Sequence, residues 1–295
     1  MQGQIIVVFL SLFFLVLPKA WSADRGALFK VVGDGHTMYL FGTMHVGQPE
    51  FYPLEPRIVA AVAGASKLAL EVDAEADYSA LAEAQQLYGV YQEGVKPAPM
   101  DPALRERLRQ AAARAGMNAD KMMHYRPWLL ATVLAIAEYR SQGYQTELSV
   151  EAHLTKLAKA SGVQIVSLET PSAQLSMFDR LSDEQQLRFL EESITLIESG
   201  RQRAEVRQIV EAWRTADRSA LDEIAARAAA DNTLSGQFVK KFMLDERNIG
   251  LADKLAGLLK RENNTVAAIG ILHLIGNTSV PALLGARGLS VERIY

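Results

Sequence analysis

Two histidines occupy matched settings near opposite ends of the chain. In Met38-Tyr39-Leu40-Phe41-Gly42-Thr43-Met44-His45, and again in Val266-Ala267-Ala268-Ile269-Gly270-Ile271-Leu272-His273, an apolar run leads to a glycine, two residues and a histidine. A further glycine follows each, at Gly47 and Gly276. An apolar run of this length reads as a buried strand. The glycine allows a turn where the strand ends. The histidine is then delivered to the strand's carboxyl end, where open α/β sheets build their ligand sites. Two more apolar runs close on carboxylates: Lys67-Leu68-Ala69-Leu70 runs into Glu71, and Ile165-Val166-Ser167-Leu168 into Glu169. A carboxylate there is costly unless it is paired or bound. If the four strands are parallel neighbours, their ends meet in one crevice. Two histidines and a carboxylate, with one position open to water, are a common catalytic metal set. A second carboxylate serves as general base or orients a histidine. Plainer alternatives stay open at this point. A turn histidine is often only a satisfied polar residue, Glu71 fits a structural salt bridge, and Glu169 before Thr170-Pro171 fits a helix start.

The elements that must position these groups are legible from periodicity. Residues 27–32 and 37–41 flank Gly33-Asp34-Gly35-His36 and read as a β-hairpin. Residues 53–65 have helical spacing, with Ile58, Val59 and Val62 on one face. Residues 67–72 form a strand, and residues 77–161 are mostly helical. Asp101-Pro102 is a helix start, and residues 128–137 are an apolar helical stretch that belongs in a core. A strand over 164–168 ends at Glu169. A capping box at Ser182-Asp183-Glu184-Gln185 opens helices that continue to about residue 261. The last elements are a strand over 265–269, a short helix over 281–286 and a strand over 289–294. The expected fold is α/β, with a mixed central sheet formed by the N- and C-terminal strands and large helical insertions. Each end alone has too few strands for a core, so the terminal strands are expected to pair.

Composition narrows the function classes. A net charge of −3 leaves no general basic surface for nucleic acid. The absence of cysteine excludes thiol nucleophiles, disulfides and Cys-ligated zinc. Residues 5–17 are almost wholly apolar, too short a run for a comfortable membrane span, and Pro18 ends them. Ala20-Trp21-Ser22 offers small residues at the positions a signal peptidase reads. Residues 1–22 are expected to be a signal peptide and 23–295 one mature domain, exported to a bacterial periplasm and not membrane-spanning. His36 is expected to be exposed in the hairpin turn, and His124 and His153 to lie on helices without a catalytic role. Glu191-Glu192 and the basic run from Arg201 to Arg207 read as solvated helix faces. There is no Gly-x-Ser-x-Gly elbow, no Walker loop and no His-Glu-x-x-His helix.

Gly42-x-x-His45, Glu71 in its apolar strand, Leu168-Glu169-Thr170 followed by Gln174, and Gly270-x-x-His273 together resemble the TraB/GumN family, which includes the TIKI metalloproteases of animals. Pro127-Trp128, Val150-Glu151, Glu246-Arg247-Asn248 and the segment from Gly285 to Glu292 extend the likeness over nearly all of the mature chain. One departure is Glu151, where many relatives carry aspartate. The resemblance implies a hydrolase dependent on a divalent metal ion, acting on a peptide or protein substrate, with manganese, cobalt or zinc as the ion. His45, His273 and Glu71 are then the expected metal ligands. Glu169 is the proton acceptor, and the two glutamates are open to exchange. Arg247 binds a substrate carboxylate or a developing oxyanion, with Asn248 as a neutral donor beside it. Two other readings remain. One is an esterase-like hydrolase with a histidine base and no metal. The other is a non-catalytic periplasmic protein binding a ligand, a metal or haem, since the wider fold group includes such a relative and fold alone does not settle function.

Overall fold

The computed structural model describes residues 24–295; the expected signal segment, residues 1–22, lies outside them. Asp34 and Gly35 adopt positive φ (51° and 77°) and close a two-residue turn between β1 (Leu28–Gly33) and β2 (His36–Thr43). Asp-Gly is the residue pair such a turn prefers. After α1 (Pro56–Ala63) comes β3 (Lys67–Leu70), which stops one residue short of Glu71. A helical stretch follows: α2 (Tyr78–Gly89), α3 (Pro102–Arg114), α4 (Ala119–Met122), α5 (Pro127–Ser141) and α6 (Val150–Ala160). β4 (Gln164–Ser167) then leads through Glu169 into α7 (Pro171–Leu175). Next come α8 (Asp183–Glu198), α9 (Arg201–Arg214), α10 (Arg218–Ala230) and α11 (Leu234–Phe238). A π-helix over Val239–Glu246 feeds α12 (Arg247–Arg261). β5 (Thr265–Gly270), α13 (Val280–Ala286) and β6 (Ser290–Arg293) finish the chain.

The sheet has the strand order β4-β3-β5-β2-β1-β6. Its first four strands are parallel neighbours, while β1 is antiparallel to both β2 and β6. The N- and C-terminal strands therefore share one mixed sheet, as the patterning required. β5 lies between β3 and β2, and all six of its residues are buried. That burial explains an apolar run without alternation. α12 packs across β1 and β2, α1 against β5, and α6 against β4.

The helical insertions carry cores of their own. Leu104, Leu108, Leu130, Leu134, Leu190 and Ile194 join α3, α5 and α8. Trp128 stacks on Phe178 with ring centroids 4.1 Å apart, and Phe238 packs beside them. α5 therefore faces two clusters, which is why its apolar residues run all round the helix. Trp213 ties this region to the sheet: it is fully buried against Phe51, and its Nε1 donates to the Gly42 carbonyl at 2.8 Å.

Three sequence expectations change. His36 is not exposed in the turn but half-buried at the start of β2, with Nδ1 2.7 Å from the Leu259 carbonyl oxygen. His124 lies in a turn after α4 rather than on a helix. Glu192 is not simply solvated, because it accepts from the backbone N–H groups of Leu234 and Ser235 at the start of α11. No helix among the described residues is long and apolar enough to cross a membrane.

Candidate active site at the strand ends

The parallel strands β4, β3, β5 and β2 deliver Glu169, Glu71, His273 and His45 at the same edge of the sheet. The β3–β4 pairing continues past the strands, with Leu168 N donating to Leu70 O at 2.7 Å and Glu169 N to Glu71 O at 2.8 Å. That extension holds the two carboxylates side by side. Across β5, the backbone N–H of Gly270 donates to Glu71 Oε1 at 2.7 Å. The Nε2 atom of His273, three residues on, stands 3.8 Å from Glu71 Oε2. Glu71 thus sits directly beside the Gly270–His273 segment, with the His45 segment on the far side of β5.

The first residue of α12 completes the cluster. Arg247 donates through Nη2 to both Glu71 Oε2 and Glu169 Oε2, the latter at 2.6 Å, and through Nε to Glu169 Oε1 at 3.1 Å. Its Nη1 donates to the Met243 carbonyl, so every guanidinium nitrogen is engaged. All three side chains are buried, with 6% of Arg247 and 9% of each glutamate exposed. Burial works against the charge on Glu71. His273, His45, Arg247 and the Gly270 N–H outweigh it and hold the carboxyl down to about 2. Burial likewise opposes the charge on Arg247, but Glu169 and Glu71 reverse that and raise its pKa. The eight-residue π-helix directly before Arg247 is a rare element that recurs at functional sites.

Each histidine is anchored through Nδ1. His273 Nδ1 lies 2.6 Å from Asn248 Oδ1, so the ring places its proton there and turns a free Nε2 toward Glu71. Asn248 is fixed in turn by donating to the Thr278 carbonyl at 2.8 Å. Burial lowers the pKa of His273 to about 4, so it is neutral at physiological pH. His45 Nδ1 lies 2.8 Å from Glu151 Oε1, which also accepts from Thr43 Oγ1 at 2.5 Å. Glu151 is the largest influence on His45 and raises it to about 9, although 68% of the ring is exposed. The helical insertion brings Glu151 here: Gly47 and Gln145 exchange backbone hydrogen bonds at 2.9 Å, and Val150 N donates to Met44 O. Glu151→Gln is expected to bring the His45 pKa back toward the ordinary 6.5, read by NMR titration of its ring protons. An unmoved midpoint would remove Glu151 from this role.

The site residues expected from sequence are thus assembled in one place. Arg247 and Asn248 reach it by holding Glu71, Glu169 and His273. Glu151 and Thr43 were not singled out as site residues. Thr43 lies inside the first Gly-x-x-His segment, and Glu151 was visible only through the family resemblance. The two motif glycines act differently from expectation. Neither Gly42 nor Gly270 has positive φ, so neither position needs glycine for its backbone conformation. Both permit close approach. A Cβ on Gly42 would come within 2.5 Å of Ile271 Cδ1, and one on Gly270 within 3.2 Å of both Glu71 Oε1 and His45 Nε2. Gly270→Ala is therefore expected to fold, because its backbone conformation suits alanine, yet to place a methyl group inside the site. Unchanged turnover in a folded G270A protein would show that this space is not used.

Among the described residues no group of three or more His, Asp or Glu side chains stands in position to hold a metal ion. Arg247 occupies Glu71 Oε2 and the Gly270 N–H occupies Oε1. The donor chemistry nevertheless suits a divalent ion: two imidazoles anchored through Nδ1 and one carboxylate face the space that a Gly270 side chain would fill.

Comparison with known proteins places this geometry in context. The model of the TraB/PrgY/gumN family matches residues 27–293. The YbaP protein of Escherichia coli (strain K12) is 23% identical over 279 residues, covering 90% of this chain and 96% of its own length. YbaP of Shigella flexneri shows the same identity and coverage. A protein of Treponema pallidum (strain Nichols) is 20% identical over 281 residues, covering 92% of this chain and 84% of its own. No solved structure matches significantly.

Proposed function

The chain belongs to the TraB/PrgY/gumN family, and on that premise we propose that it is an exported hydrolase that cleaves peptide bonds with the help of a divalent metal ion. One observation carries this reading. The imidazoles of two distant Gly-x-x-His segments turn anchored rings toward one buried carboxylate, Glu71, at the carboxyl ends of neighbouring parallel strands. His45, His273 and Glu71 would hold the ion, and the peptide substrate is the class the family resemblance implies. When bound, such an ion supplies Lewis-acid polarisation of a carbonyl and a more acidic water.

The remaining tasks fall to the chain's own groups. Arg247 keeps Glu71 ionised and holds Glu169 beside it. Glu169 Oε2 is committed to Arg247 and to Gln174, whereas Oε1 accepts only from Arg247 Nε. Oε1 is therefore the oxygen that takes the proton from an attacking water and returns it to the leaving amine. Asn248 keeps the His273 imidazole in one tautomer, and Glu151 holds the His45 ring in one orientation.

A specific observation favours a second reading, a hydrolase with a histidine base and no metal. Arg247 already neutralises Glu71, and His273 is neutral with Nε2 free. Digestion of a peptide library with and without chelator separates the two. The metal reading expects cleavage to vanish with chelator and return with manganese, cobalt or zinc. Cleavage that survives chelation would favour the histidine base, and no cleavage with any ion would overturn the hydrolase reading in favour of a binding protein.

A further inference from the structure

A cavity of about 820 Å³ lies between α10, the segment after β5 and the β1–β6 edge of the sheet. Ala225, Ala229, Ile275, Pro281 and Val291 give it apolar walls. Its charged lining is unevenly matched. Asp222 lies 3.7 Å from Arg293 Nη1 through Oδ1 and 3.7 Å from Arg218 Nε through Oδ2. Neither separation is a hydrogen bond. Two guanidinium groups therefore share one loosely held carboxylate, and one positive side-chain charge is left over. The other charged pair in the wall, Lys240 and Asp245, is closed at 2.5 Å.

Arg293 is the more telling of the two cations. Only 13% of its side chain is exposed, and its guanidinium lies over the Phe29 ring at 5.6 Å. Nε donates to the Tyr295 main-chain oxygen at 3.0 Å, while Nη2 is buried with no hydrogen-bond partner. A buried guanidinium with unused donors is costly, and a carboxylate that takes two parallel N–H bonds is its natural complement. Strand β6 and helix α10 thus hold a cation whose partner is incomplete, at the wall of a cavity of ligand size.

We propose that this cavity binds an apolar chain ending in a carboxylate, with the head group on Arg293 and Arg218 in competition with Asp222, and the chain along the alanine face of α10. The site is distinct from the strand-end cluster but shares a residue with it. Asn248 lines the cavity, donates to Thr278 in its wall and fixes His273 Nδ1. An occupant therefore presses on the residue that orients His273.

The ligand chemistry has two natural sources, a free fatty acid or the C-terminus of a peptide. Calorimetric titration of the full chain uses octanoate, an acetylated alanine–valine hexapeptide as the free acid, and the same peptide as its amide. It does not depend on turnover, so it stands apart from the hydrolase reading. At least one acid is expected to bind, and which one identifies the source. The amide is expected to bind at least about tenfold more weakly than the peptide acid if the peptide is the source, from the loss of a charge-assisted hydrogen bond. Arg293→Gln and Arg218→Gln each weaken the bound acid by a similar factor, whereas Asp222→Asn tightens it by removing the competitor. Arg218 is 71% exposed, so its variant is informative even if the Arg293 variant fails to fold. The proposal is overturned if neither acid binds, if a peptide acid that binds is matched by its amide, or if Arg218→Gln and Asp222→Asn both leave the affinity unchanged.

Discussion

Arg247→Met is expected to destabilise the protein by about 3–5 kcal/mol, because it leaves two buried carboxylates without their cation. Glu71 and Glu169 are each 9% exposed, and among the described residues Arg247 is the one cation bonded to both. Thermal or urea denaturation reads the loss. At roughly 2–4 °C per kcal/mol for a chain approaching this size, the midpoint should fall by about 10 °C. The acid-side pH dependence should also become shallower. In the native protein the Glu71 pKa is depressed to about 2. Its contribution is therefore fully present above the ordinary carboxylate pKa of 4.5 and is lost as pH falls from 4.5 toward 2. In the variant one of the groups that hold the carboxyl down is gone, while His273, His45 and the Gly270 N–H remain, so the depression is smaller. Less stability is then lost as pH falls below 4.5. Arg247→Lys keeps one charge and one contact, so it should lie between the two. A midpoint unchanged in Arg247→Met would mean that the carboxylates find other partners, and the electrostatic account of the site would fail.

His45→Ala and His273→Ala are expected to lower kcat/KM on any peptide that the library identifies by about 10²–10⁴-fold each, the range for losing a group that moves or controls a proton. The two should differ in stability. His45 is exposed, so its removal should barely move the unfolding midpoint. His273 is 4% exposed and hydrogen-bonded to Asn248, and its loss should cost about 1–3 kcal/mol, because Asn248 Oδ1 is left buried without a partner. Elemental analysis alongside kinetics assigns the reason. Metal content lost in both variants supports ligation. Undiminished metal with lost activity would move the histidines from ligands to proton carriers. Full activity in either variant would remove that histidine from the site altogether.

The candidate site was legible in the sequence to an unusual depth for a local reason. Each of the four strands β2, β3, β4 and β5 is a short run that ends within three residues of its site side chain. A strand in a parallel sheet must put that side chain at its carboxyl end. The Asp34-Gly35 turn and the Ser182 capping box were equally local and equally plain. Other features depend on distant partners and left little trace. His36 looks like a turn residue until the Leu259 carbonyl is placed beside it. Gly42 and Gly270 look like turn glycines until Ile271, Glu71 and His45 occupy the space above them. Glu151 stands out only through the family likeness until the Gly47–Gln145 bridge carries it to His45.

The sequence by itself determined which residues arrive at strand ends, because apolar period and turn chemistry act over a few neighbours. Only the tertiary structure decided who meets whom. Inserting β5 between β3 and β2 puts the His273 segment between Glu71 and the His45 segment, and docking α12 on the sheet drives Arg247 between Glu71 and Glu169. Those choices are made by burying whole faces of sheet and helix across separations of up to two hundred residues. No local pattern encodes the partner of a buried charge; it follows from which surfaces pack together.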